Sequence, residues 1–212
     1  CAEMGTTWQK LSLISGHARR DRDFTFTSLA HLLNEEYLRD CYLSLKRRKA
    51  KGIDDVSWED YGEDLDENIK KLVSKLKRKR YKPLPARRVY IPKNKTEKRP
   101  LGIPALENKI VERGIVGILE SIYEQDFLDS SYGFRPKRSG HQALKALNDL
   151  ITFHPVKHIV EADSKGFFDN VSHEHLMAFI RIRIKDTTFL NLIERFLRAG
   201  YIDDGLLMIP DA

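Results

Sequence analysis

Residues 157–170 read KHIVEADSKGFFDN. The β-branched pair Ile159 and Val160 runs into Asp163, after which Ser164, Lys165 and Gly166 turn the chain into Phe167 and Phe168. The pattern predicts a buried strand that delivers a carboxylate to its exposed end. Asp169 has two readings, assisting a site at Asp163 or tying down the turn, and we read it as structural.

Helical stripes dominate the rest of the chain. From Thr27 or Ser28, each a reasonable N-cap, Leu29, Leu32, Leu33, Leu38, Tyr42 and Leu45 recur at three- and four-residue spacing and predict one amphipathic helix ending near Gly52. Leu65, Ile69, Leu72, Val73 and Leu76 predict a second helix. A third carries the continuous apolar face Ile110, Val111, Ile115, Ile118, Leu119 and Ile122. Ser139 and Gln142 form a capping box for the next helix, Ser172 caps another, and Phe189, Leu192, Ile193, Phe196 and Leu197 stripe the last before Gly200. Residues 1–25 show no sustained period and read as a mobile or extended lead-in.

Charge is distributed unevenly over these elements. The chain has 212 residues, 41% of them apolar and 32% charged, with a net charge of +6, so a polyanionic partner is compatible with it. Residues 53–67 hold eight acidic residues and no basic one, whereas residues 70–99 hold fourteen basic residues against Glu97 alone. The acidic half suits the helix dipole. On the helix that follows, Lys70, Lys71, Lys75, Lys77, Arg78, Lys79 and Arg80 stand off the apolar stripe, an electrostatic footprint for phosphates.

Two cysteines, Cys1 and Cys41, exclude a zinc cluster or a disulfide framework and make a reducing compartment the default. No run is long and apolar enough for a membrane span, and the first thirty residues lack the apolar core of a signal peptide. A start at Cys1 and a stop at Ala212 in mid-pattern read as cuts in a longer protein. His173 and His175 are two apart on a predicted helix and point to different faces, which argues against a metal pair.

After Pro83 and Pro85, residues 88–92 and 99–103 predict two strands joined by the polar loop KNKTEK. Taken together, residues 87–104 (RRVYIPKNKTEKRPLGIP), residues 131–144 (SYGFRPKRSGHQAL) and residues 157–170, in this order and spacing, strongly resemble the reverse transcriptases encoded by group II introns. The resemblance runs from about Phe26 to about Gly205. It implies an α+β fold of the right-hand polymerase kind, with helical fingers bearing a small antiparallel sheet and then the start of a palm sheet backed by helices. The implied division is a lead-in over 1–25, an N-terminal helical extension and start of the fingers over 26–86, fingers over 87–156, and a truncated palm over 157–212.

The resemblance also implies roles. Asp163 would be a catalytic carboxylate and Mg²⁺ ligand, in a site that holds two ions about 3.5–4 Å apart. Phe168 would lie under the incoming sugar and collide with a 2′-hydroxyl, favouring deoxynucleotides. By position, Lys93 and Arg99 look like the triphosphate contacts, helped by Lys95 and Lys98 on a mobile loop. Arg135, Lys137 and Arg138 would project toward the template and nascent base pair. Lys75, Arg78, Lys79 and Arg80 on the basic helix 70–80, with the amphipathic N-terminal helix, would carry the RNA binding of a maturase. The implied partners are an RNA template, a DNA or RNA primer and dNTPs, in the bacterial cytoplasm or an organelle. The activity would be RNA-directed DNA synthesis, with a maturase role in splicing.

Tyr201, Ile202, Asp203 and Asp204 spell Y-x-D-D, the form of the family's second catalytic box. That box needs the tip of a β-hairpin, whereas here the letters follow a helix and its glycine stop and precede Gly205, which predicts a turn. A fragment with Asp163 as its one metal carboxylate is expected to bind nucleic acid without polymerising. Two other readings stay open: a splicing module without polymerase chemistry, and a reverse transcriptase of a retron, diversity-generating or CRISPR-associated type.

Overall fold

A computed structural model describes residues 6–164 and 166–209. Lys165, within the expected turn, the two ends at Cys1 and Ala212, and the side chain of Asp169 lie outside the described residues.

Eight α-helices and four strands are described. In chain order they are α1 (Thr7–Arg20), α2 (Glu35–Ser44), α3 (Trp58–Glu63), α4 (Leu65–Lys77), β1 (Ala86–Pro92), β2 (Lys98–Ile103), α5 (Leu106–Tyr123), α6 (Gly140–Phe153), α7 (His173–Arg183), α8 (Thr187–Leu197), β3 (Tyr201–Asp203) and β4 (Leu206–Met208), with short 3₁₀ turns at Ala30–Leu32 and Phe168–Asn170. The class is α+β, as expected.

The core forms where the apolar stripes of α1, α2, α4, α5 and α8 meet. Leu38, Tyr42, Leu72, Val73, Ile110, Ile118, Ile122 and Phe189 are all buried. Each aliphatic side chain removed from water in this way contributes about 2 kcal/mol. The α2–α5 contact is close because α5 presents Gly114 and Gly117 to Tyr37, whose hydroxyl donates to the Gly114 carbonyl at 3.2 Å.

Five expectations are corrected by the fold. The lead-in contains α1, capped by a Thr6–Gln9 capping box and packed on α5 through Leu11 and Ala18. Its exit is fastened by Arg183, whose guanidinium donates to the carbonyls of Phe24 at 3.1 Å and Asp21 at 3.3 Å and pairs with Asp126 at 2.6 Å. The helix expected from 28 to 52 is divided, because the Asn34 side chain accepts from the Tyr37 N–H at 2.9 Å and starts α2 afresh. The sheet is mixed, not antiparallel, in the order β2-β1-β3-β4, with β1 and β3 parallel through Ala86↔Tyr201 and Arg87↔Ile202.

The fourth correction concerns residues 157–163, which form no strand. Ile159 and Val160 are 70% and 91% exposed. A strand needs a ladder partner, and the four described strands pair only with one another. Ser139 caps α6 by accepting from the Gln142 N–H, but Gln142 returns no bond to the backbone, so only half of the expected capping box forms. No residue of α6 is buried.

Candidate functional site

Three loops carry the candidate residues. The first is the tip of the β1–β2 hairpin, whose register sets Arg99 opposite Ile91 and Lys98 opposite Pro92. Residues 93–97 close it, with the Lys93 N–H donating to the Glu97 carbonyl at 2.8 Å and the Asn94 carboxamide accepting from the Thr96 and Glu97 N–H groups at 3.0 and 2.7 Å. Lys93, Lys95, Lys98 and Arg99 are all exposed at this end. Lys93 meets Glu97 at 3.2 Å, a pair screened by water and worth well under about 1 kcal/mol, so an anion can displace it. The hairpin thus holds four cations at the open end of a rigid ladder, suited to a flexible polyphosphate.

The second is the SYGFRPKRS loop. Arg135 does not project. Its side chain is 6% exposed, pairs with Glu124 at 2.7 Å and donates to the carbonyls of Leu128 and Ser131 at 2.6 and 2.9 Å. It clamps the loop to the end of α5 and has few donors left for a nucleic acid. Arg138 is partly committed, to Asp129 at 2.7 Å, and lies over the Tyr132 ring. Lys137 is exposed and sits in the left-handed region at φ 60°. The same constraint turns Phe134, at φ 56° and 99% exposed, outward.

The third follows Asp163, which is exposed on the unpaired segment. Gly166 at φ 62° makes the turn, and the Asn170 amide donates to its carbonyl at 2.7 Å. Phe168 is 77% exposed. Its ring stands edge-on to Phe167 at 5.4 Å and to Phe134 at 6.3 Å, so the second and third loops meet through aromatics. An open groove of about 540 Å³ runs from Ser164 and Phe167 to Phe179 on α7. Phe168 was marked in the sequence through the family resemblance and Phe134 was not, although an aromatic between Gly133 and a proline-fixed turn was a visible sign.

Y-x-D-D is also corrected. Tyr201, Ile202 and Asp203 form β3, and Asp204 at φ 48° with Gly205 at φ 80° make the tight turn into β4, so the letters do occupy a hairpin. The hairpin lies beside β1, where the Tyr90 hydroxyl donates to Asp203 Oδ2 at 2.6 Å and the Arg88 guanidinium covers the Tyr201 ring at 3.5 Å.

A divalent cation of the Mg²⁺ kind takes about six oxygen donors. Among the described residues no three His, Cys, Asp or Glu side chains converge to supply them, and Asp163 offers one carboxylate. His173 and His175, in the first turn of α7, join no such cluster either. Basic α4 keeps its expected stripe. Arg78, Lys79 and Arg80 are exposed past its end, while Lys75 pairs with Glu107 at 3.0 Å.

The family described as reverse transcriptase (RNA-dependent DNA polymerase) matches residues 91–210. The chain belongs to the reverse transcriptase family. This reverse transcriptase chain is 40% identical over 206 residues to the group II intron-encoded protein LtrA of Lactococcus lactis subsp. cremoris, a match that covers 95% of the chain and 34% of LtrA. It is 41% identical over 167 residues to protein YkfC of Escherichia coli K12, covering 77% of the chain and 44% of YkfC. A 91 kDa protein in the cob intron of Schizosaccharomyces pombe is 38% identical over 137 residues, 65% of the chain and 17% of that protein. Among reverse transcriptases the likeness is therefore to the intron-encoded kind, and the chain spans about a third of LtrA and under half of YkfC. No helix among the described residues is long and apolar enough to cross a membrane.

Proposed function

We propose that this chain is the fingers and the beginning of the palm of an RNA-directed DNA polymerase of the group II intron kind, joining dNTPs to a primer on an RNA template. The observation that carries the reading is the edge-on meeting of Phe134 with Phe168, which follows Asp163 in the same loop, so that two of the three motif loops join. Residues 87–156 act as fingers and residues 157–209 open the palm, with 26–86 as a helical extension.

The residues of the three loops divide the work. Lys93 and Arg99 hold the triphosphate, Lys93 exchanging Glu97 for phosphate oxygens. Phe168 underlies the sugar, with Phe134 backing it. Lys137 and Arg138 approach the template strand, and Arg135 keeps their loop in place. The residue set does not fit a complete Mg²⁺ site, so Asp163 contributes one carboxylate to it. A site of intron transcripts, the bacterial cytoplasm or an organelle, suits the reading.

A second reading, splicing assistance through RNA binding, is supported by the basic end of α4 and by the intron-encoded relatives. The two differ in nucleotide binding. In the presence of an RNA–DNA hybrid, a fluorescent dATP analogue is expected to bind the unaltered chain and to bind Lys93→Ala/Arg99→Ala at least tenfold more weakly, about 1.4 kcal/mol. Hybrid binding without any nucleotide binding would favour the splicing module alone. Primer extension by the chain itself is expected to be absent. Mg²⁺-dependent extension abolished by Asp163→Ala would show the site to be complete.

A further inference from the structure

Away from the hairpin tip and Asp163, a groove runs between the C-terminal end of α4 and the outer face of α8. It consists of two adjoining hollows, of about 250 and 510 Å³, which share Lys79, Asn191 and Arg195. The sequence accounts for both walls. Lys79, at φ 56°, turns the chain out of α4, so Lys77, Lys79 and Lys82 all line the groove. Arg195 crosses from α8 and donates to the carbonyls of Lys79 at 2.8 Å and Tyr81 at 2.9 Å, fixing the walls at a set separation. Arg198 adds a further cation from the end of α8. The one carboxylate in the lining, Glu194, is taken by Arg181.

The smaller hollow differs in chemistry from the larger. Its floor is apolar, made by Ala30, Leu33, Leu76 and Leu192, and its rim carries His31, Thr188 and Asn191. An apolar floor under a polar rim suits a planar base, and the cations beside it suit the phosphates on either side of that base. A duplex keeps its bases stacked inside and could offer the groove only its backbone. The Thr188 hydroxyl and the Asn191 carboxamide can both exchange hydrogen bonds with a 2′-hydroxyl, the group that separates RNA from DNA.

We propose that this groove is a second nucleic-acid site, which takes a single-stranded RNA segment with one unstacked base in the apolar hollow and its phosphates on Lys79, Lys82, Arg195 and Arg198. It rests on the nucleic-acid reading above and is independent of polymerase chemistry. The exposed α4 lysines had marked one wall; the residues of α8, spaced as an ordinary amphipathic helix, supply the other.

The test uses a short unstructured RNA containing 4-thiouridine, photo-crosslinked to the chain, with peptides mapped by mass spectrometry and affinity measured against salt. Crosslinks are expected within residues 30–33, 76–82 and 188–198. Lys82→Gln/Arg198→Gln, which alters two surface cations, is expected to weaken binding about tenfold and to lower the salt slope by about 1.4, two phosphate contacts at about 0.7 each. Crosslinks confined to residues 87–103 and 131–138, with an unchanged slope, would overturn the groove while leaving the nucleic-acid reading intact. Failure of the unaltered chain to retain any RNA would overturn both. Equal affinity for DNA of the same sequence would overturn the assignment to RNA.

Discussion

Asp186 is a buried carboxylate that holds two elements together. Its oxygens accept from the N–H groups of Leu29 and Ala30 at 2.7 and 2.8 Å, and from those of Thr188 and Phe189 at 2.9 and 3.1 Å, so it caps α8 and anchors the turn before α2. Burial alone would raise its carboxyl, but the four donors outweigh burial and hold it below the ordinary value. Its stabilising contribution is complete above the ordinary carboxylate range and is lost as pH falls through the lowered value. Asp186→Ala is expected to cost about 2–4 kcal/mol at pH 7, and less at pH 3, by urea denaturation. Glu112 on α5 has the opposite sign. Burial pushes its carboxyl up to about 7, with Lys109 only partly opposing. The folded chain therefore binds that proton more tightly than the unfolded chain, and stability falls as pH rises from about 4.5 toward 7. Glu112→Gln should melt several degrees above the unaltered chain at pH 8 and level with it at pH 5; equal shifts at both would contradict the assignment. Neither residue was marked by spacing, because the Leu29 and Ala30 donors to Asp186 come from far along the chain and the burial of Glu112 is set by tertiary packing.

Among the elements, the most exacting contact is that of α2 with α5. A Cβ at position 117 would run into the Tyr37 hydroxyl, which is itself sealed in the core. Gly117→Ala is expected to destabilise by about 2 kcal/mol despite the better helix propensity of alanine. Adding Tyr37→Phe should recover part of that loss, a non-additivity that thermal melts of the two single variants and the double would register. Helices were the legible part of the fold because Leu65, Ile69, Leu72, Val73 and Leu76 repeat at the helical period, whatever they pack against. The break at Asn34 was legible too, as a capping residue followed by Glu35 and Glu36, but an unbroken count of leucines hid it. Strands fared differently. β1 and β2 were found because Pro92 and the KNKTEK loop bound them, whereas β3 and β4 are three residues each and left only the Asp204–Gly205 turn to see. Residues 157–163 show the converse: β-branched residues state a preference for a sheet and cannot state that a partner strand is there.

At the scale of the whole molecule, the apolar surface is not all covered. Leu144, Leu147, Leu150 and Ile151 on α6 are each 43–67% exposed, and they stand with Val160, Phe134 and Phe168 outside the core. An exposed apolar helix face such as that of α6 binds hydrophobic dyes. The chain should enhance anilinonaphthalene sulfonate fluorescence while keeping its helical circular dichroism and a cooperative melt, and Leu144→Lys/Leu147→Lys on α6 should reduce the enhancement without lowering the melting temperature. The candidate site is legible in the sequence to the same extent as the fold. Lys93 on the hairpin tip, Arg99 at the start of β2 and Phe168 in its 3₁₀ turn are exposed as a motif reading expects, whereas the inward turn of Arg135 depends on Glu124 and two carbonyls that no spacing rule locates.

The parallel pairing of β1 with β3 also has a kinetic meaning. Ala86 meets Tyr201, and Phe26 meets Ile184, so the two closures span most of the chain. Contacts so far apart in sequence carry a loop-closure entropy that local helices do not, and they belong to the late, slow part of folding. During synthesis the β1–β2 hairpin can form as soon as Ile103 has left the ribosome, yet one edge of β1 stays unpaired until β3 emerges about a hundred residues later. At synthesis rates of about 5–20 residues per second, that leaves an open edge for some seconds. The two arginines on β1, Arg87 and Arg88, put charge on that edge while it waits, which discourages pairing with a neighbouring nascent chain.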